Sequence, residues 1–247
     1  MTLPRNSARP PFLTAEWRQL AMLNYEVDPA ILRSWLPSGT ELDPWQGRTL
    51  VSVVGFRFLN TRVKGLALPW HRHFDEVNLR CYVRHRAAEG WRRGVVFIRE
   101  LVPRAAIALV ARTLYEEPYL AVPMTHRIDS ADGLPRSVEY GWTFRGRPGH
   151  LRVATAGDWR PLQPGEEAEF ITEHYWGYTK RRDGSTSEYE VAHPPWRVMA
   201  VSDTAFECDV AGLYGECFRD FLSGKPASAL LAEGSPITVY QGRKLPQ

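Results

Sequence analysis

In FDEVNLRCYVR, Glu76, Asn78, Arg80 and Tyr82 alternate with Val77, Leu79, Cys81 and Val83. Side chains of an extended chain point alternately to opposite faces, so this segment is a strand with one apolar face and one polar row. Such a row can face water, as one side of an antiparallel strand often does, or it can line the inside of a barrel. Inside a barrel the carboxyl becomes an acid or base and the guanidinium an anion anchor. We take Glu76 as the candidate catalytic acid or base, and Asn78 and Arg80 as candidate ligand contacts. A purely structural reading keeps Glu76 and Arg80 as a buried pair bracing the fold. In the next apolar run, VVFIREL, Arg99 falls in phase with Val95, Phe97 and Leu101 and joins the candidate ligand contacts.

Four further groupings could carry chemistry. Arg112, Tyr115 and Tyr119 surround a helix end, where residues three apart share a side and could clamp an anion; Arg112 capping the helix C-terminus is the alternative. In His193-Pro194-Pro195-Trp196 two prolines fix a turn that sets the His and the Trp, either as ligand contacts or as a structural corner. His71, His73 and Asp75 have a spacing compatible with metal ligation, but the segment is short and lacks a third nearby histidine. They read as solvent-facing, and no metal is expected. Glu173, His174 and Tyr175 are weak acid-base candidates, because adjacent residues point in different directions. GxSxG, GxGxxG and GxxxxGK[ST] are all absent, so no cofactor is expected.

Composition narrows the class. The 247 residues are 44% hydrophobic and 12% aromatic, enough for a sizeable core. With 31 basic and 28 acidic residues and no long Lys/Arg run, neither nucleic acid nor a membrane surface is an expected partner; a small-molecule ligand is. Only Lys64, Lys180, Lys225 and Lys244 are lysines. Three scattered cysteines exclude a disulfide framework and fit a reducing cytoplasm, and no apolar run is long enough to span a membrane. Nine tryptophans make a buried subunit interface, and hence a homo-oligomer, plausible.

These residues need strands to hold them. An N-terminal arm over 1–14 leads to a strand at 17–27, with Trp17, Ala21, Leu23 and Tyr25 in alternation. Asp28 caps a helix that starts at Pro29 and stops at Pro37. Strands follow at 50–58, with Gly55 marking a bulge, at the Glu76 segment and at VVFIREL. A buried apolar helix spans about 104–115. Strands at 137–145 and 150–157, an acid-capped helix, a hairpin at Asp183-Gly184, further strands, a helix ending at Gly224 and short closing strands complete the chain. No linker divides it, so one domain over 1–247 is expected, an α+β antiparallel sheet or barrel with a few packed helices.

FDEVNLRCYV, ARTLYEEPY, HPPW and LAEGSPITVY resemble segments of the YqjF-like family of uncharacterised bacterial proteins. ILRSWLP with TELD, the Glu76 strand, AAIALVARTLYEEP and HLRVATA resemble, in order and spacing, segments of acetoacetate decarboxylase. The resemblance implies a large cone-shaped antiparallel β-barrel with packed helices, an internal cavity and a tendency to oligomerise. It also implies a Schiff-base lysine with a neighbouring lysine, an arginine and two glutamates. Arg18 falls on that arginine and Glu76 on one glutamate; the other falls near Val54. The Pro-Lys-Lys segment falls on Pro118-Tyr119-Leu120, so both lysines are missing and decarboxylation through an imine is not expected. What remains is lysine-free acid-base chemistry on a keto or hydroxy acid, or binding without turnover.

Overall fold

The computed structural model of the protein describes residues 9–67, 72–103 and 116–245. The helix expected at 104–115, with Arg112 and Tyr115, and His71 lie outside the described residues. Among the described residues fifteen strands run in chain order. The first eight are β1 (Pro11–Glu26), β2 (Thr40–Leu42), β3 (Leu50–Val63), β4 (Leu66–Ala67), β5 (Phe74–Ala87), β6 (Gly90–Val102), β7 (Tyr119–Ala121) and β8 (Met124–Ala131). The rest are β9 (Leu134–Phe144), β10 (Arg147–Arg160), β11 (Trp176–Lys180), β12 (Thr186–Ala192), β13 (Val198–Glu207), β14 (Ser228–Tyr240) and β15 (Arg243–Lys244). The helices are short. Asp28 caps Pro29–Trp35, its Oδ1 accepting from the Ala30 amide at 2.8 Å, and Glu167–Thr172 begins among acids that suit a helix N-terminus. None is long and apolar enough to cross a membrane among the described residues.

Seven strands close on themselves in the order β12, β11, β6, β5, β3, β1, β14, with β14 pairing back to β12 at Val191 and Val239. Seven is odd, so alternation cannot continue all the way round, and one junction, β11 on β6, is parallel. This ring is the expected barrel, with that departure from antiparallel pairing. From β14 the sheet continues through β13, β10, β9 and β8.

Alternation along the ring strands sorts two cores. Val51, Val53, Val77, Leu79 and Cys81 pack outward with Val138, Tyr140, Leu151 and Val153 of β9 and β10. Leu20, Met22, Val54, Phe56, Tyr82 and Val95 form a second cluster on the other face. The apolar side of the Glu76 strand is thus its outer face, and its polar row looks inward.

Two bulges shift the phase of strands that sequence alternation treats as regular. In β1 the register slips between Arg18 and Ala21, where Gln19 takes a φ of 52°. Trp17 is therefore on the inner face with Leu20 and Met22, whereas Ala21, Leu23 and Tyr25 are on the outer one. In β6 the slip lies where Arg80 pairs with Phe97 but Leu79 with Arg99. Gly55 is not a bulge: β3 keeps its register with β5 through it, and a Cβ there would overlap the Tyr140 ring. The closing stretch is one long strand instead of several, and the helix expected before Gly224 is broken at Gly215, whose φ is 110°.

Candidate functional site

A cavity of about 220 Å³ fills the ring, and Glu76, Asn78 and Arg80 all line it. β6 and the 116–121 segment bring two more carboxyls, Glu100 and Glu117, and a phenol, Tyr119. Tyr189 of β12 completes the group, and its hydroxyl donates to Glu117 Oε1 at 2.5 Å. Its ring lies across Gly177, where a Cβ would overlap it, so glycine is needed at that point of β11. Asn78 Nδ2 donates to Glu76 Oε1 at 3.0 Å, and the Tyr119 hydroxyl lies 3.4 Å from Glu76 Oε2.

The three glutamates are 2%, 1% and 7% exposed, taken in chain order. Burial lifts Glu76 to about 8, opposed by Asn78 and reinforced by Glu117. Burial likewise lifts Glu117 to about 7 against its bond from Tyr189, and pushes Glu100 well above the carboxylate range with help from Glu117 and Glu76. Both tyrosines stay neutral, for burial raises them too. A proton donor and a proton acceptor can therefore coexist here near neutral pH.

Arg80 sits deeper. Its Nη2 donates to the Ile171 carbonyl at 3.0 Å, while its Nε is buried with no hydrogen-bond partner among the described residues. Asn78 Oδ1 and Glu100 Oε2 are orphaned in the same way. Orphaned polar atoms on a cavity wall are what a polar ligand or water would satisfy. His193 and His174 flank this end; burial lowers both to about 4, so both are neutral imidazoles at neutral pH. His193 stacks on Trp196 with ring centroids 4.1 Å apart, and both line the cavity. His174 Nε2 lies 3.4 Å from Asp43 Oδ2.

Arg18 and Arg99 lie elsewhere, a correction to the sequence reading. The Arg18 guanidinium is bound to Glu16, with Nη2 2.6 Å from Oε2, and to the Gly234 carbonyl at 3.4 Å. Arg99 Nε donates to the Leu213 carbonyl at 3.0 Å. In both cases a bulge moves the neighbouring residue, not the arginine, into the inward phase. Glu100 was missed for that reason. The signal was present: outward apolar residues run Val96, Ile98, then Leu101, a change of spacing that marks the slip. His73 is exposed, and Asp75 pairs with His126 at 2.9 Å. No metal-competent cluster occurs among the described residues.

The sequence profile of the DUF2071 family, described as an uncharacterized conserved protein, matches residues 14–236. The chain belongs to this family. A curated DUF2071-like relative, the uncharacterized protein YqjF of Bacillus subtilis (strain 168), is 28% identical over 187 residues, which cover 73% of this chain and 72% of YqjF. Solved structures share the fold of this DUF2071 chain. The enduracididine biosynthesis enzyme MppR superposes with a TM-score of 0.68 at 15% identity, covering 96% of this chain and 88% of MppR. Acetoacetate decarboxylase of Legionella pneumophila gives 0.66 at 14%, over 100% and 90% of the two chains. An acetoacetate decarboxylase-like enzyme of Sphingomonas wittichii RW1 gives 0.67 at 15%, over 96% and 94%. At these identities the likeness establishes an acetoacetate decarboxylase-like fold.

Proposed function

We propose that this protein binds a small carbonyl-containing organic acid in its barrel and moves protons on it without a lysine. The observation that carries this reading is the grouping of Glu76, Glu100 and Glu117 with Tyr119 and Tyr189, above an arginine whose Nε is unpaired among the described residues. Arg80 holds the carboxylate. A carboxylate of the glutamate group takes a proton from the carbon next to the carbonyl. The electron pair moves onto the carbonyl oxygen, which accepts a proton from a neighbouring carboxylic acid or from Tyr119. Glu76 is at the centre of this exchange. Of the structural neighbours, MppR has been solved with pyruvate bound, which supports a ligand of this class.

All four lysines are exposed and none lines the cavity, which supports chemistry without an imine. Borohydride with pyruvate or acetoacetate should leave no covalent adduct, as judged by intact mass; a trapped adduct would overturn this part of the reading. Exchange of the pyruvate methyl protons into heavy water, followed by NMR, tests the rest. Glu76→Gln should slow enzyme-dependent exchange at least about 100-fold. If the wild type binds pyruvate but promotes no exchange, the second reading stands: binding or sensing without turnover, favoured by Tyr119 standing where the resemblance places a catalytic amine.

A further inference from the structure

The cavity is graded along its axis, and the grading follows from strand register. Across β3 and β5, Ser52 faces Arg80, Val54 faces Asn78, Phe56 faces Glu76 and Phe58 faces Phe74. Successive pairs are two residues apart, about 7 Å along the strand. The wall thus passes from a polar floor at Arg80, through the glutamate tier, to an aromatic tier where Phe58 and Phe74 stack at 4.5 Å. Trp17, opposite Phe58 on β1, meets Phe56 and Phe58 edge-on at 5.3 and 5.8 Å. All of these aromatic side chains line the cavity. Arg80 at the floor is partly exposed, and so are Phe12, Leu13 and Trp17 at the aromatic end. Apolar side chains therefore stand between the glutamates and the aromatic end.

A short oxo acid uses only the lower tiers. With its carboxylate at Arg80 and its carbonyl at the glutamates, pyruvate leaves the aromatic tier without a contact. Such a tier gains free energy only from an apolar group that removes its surface from water. We infer that the ligand is an oxo acid carrying an apolar, ring-sized tail, seated against the cavity side of Trp17, Phe58 and Phe74 with its acid end toward Arg80. This rests on the head-group reading of the preceding subsection and adds the part of the molecule that reading leaves open.

Calorimetric titration of the full chain with three probes tests it. Phenylpyruvate has head and tail, pyruvate the head alone, and phenylacetone the ring and carbonyl without the carboxylate. Phenylpyruvate should bind at least about tenfold more tightly than pyruvate, since its ring buries as much apolar surface as a phenylalanine side chain. It should also bind more tightly than phenylacetone. Phe58→Leu and Phe74→Leu should each narrow the gap between the two acids. If pyruvate binds as tightly as phenylpyruvate, the tail subsite is refuted and the head-group reading survives. If phenylacetone equals phenylpyruvate, or neither acid binds, the head-group reading fails and the inference with it. The wild-type series decides the matter even if a leucine variant does not fold.

Discussion

A carboxyl that is 2% exposed and shares its cavity with two others cannot ionise where a surface glutamate does. The consequence at the residue scale is a pH dependence of stability whose sign can be worked out. Glu76, Glu100 and Glu117 are all raised in the fold, so above their ordinary 4.5 the folded state holds more protons than the unfolded one. Their contribution is complete at low pH and is lost as pH rises toward about 8. His174 and His193 act in the opposite sense. Lowered from 6.5 to about 4, they destabilise the fold in acid and cease to matter above 6.5. Between about 6.5 and 8 the glutamate group dominates, and the melting temperature should fall across that window. Glu76→Gln combined with Glu117→Gln should flatten the fall. A wild-type melting temperature that rises from pH 6.5 to 8 would mean that these carboxyls are not buried as described.

At the scale of the strand, a single bulge decides which residue does chemistry. β6 would present Arg99 to the cavity if it alternated without interruption; the slip opposite Leu79 and Arg80 presents Glu100 instead. Arg99→Ala should therefore cost about 1 kcal/mol, through the lost bond to the Leu213 carbonyl, and leave pyruvate affinity unchanged in titration. Glu100→Gln should do the reverse, altering affinity and its pH dependence more than the melting temperature. The pair of variants distinguishes the two phases, because a regular strand would exchange their effects. The same contrast shows what the sequence could reveal. Glu76, Asn78 and Arg80 were legible because β5 alternates without a slip from Val51↔Cys81 to Phe58↔Phe74. Arg18 and Glu100 were not, since a bulge depends on the partner strand as much as on its own residues. Glu117 lay in a segment with no periodicity to place it; the parallel pairing of β7 on β6 and the bond from Tyr189, far along the chain, bring it to the site. His193 and Trp196 were legible through the prolines between them.

At the scale of the whole molecule, the ring has two short junctions, β11 on β6 and β12 on β14, each of two residue pairs. β1 pairs with β14 from Pro11 to Asn24, but β12 meets β14 only at Val191 and Ala192, opposite Val239 and Thr238. Both valines also line the cavity, so the junction that closes the ring is part of the site wall. Elsewhere on β12 the buried Glu188 gathers Arg92 of β6 at 2.7 Å, Arg243 of β15 at 2.7 Å and Arg9 at 3.6 Å. The pair with Arg92 joins β12 to β6 across β11, whose own ladder on β6 is only two pairs long. Local opening takes place where few backbone bonds must break together. Amide hydrogen exchange should therefore be faster at Ala192 and Thr238 than at Val77–Val83, which β3 and β6 hold on both sides. An oxo acid bound in the cavity stabilises the closed ring by mass action and should slow exchange at the junction more than at β5. Equal protection at both places in the free protein would mean that the ring opens only with global unfolding, and the cavity would then have to be reached from its aromatic end.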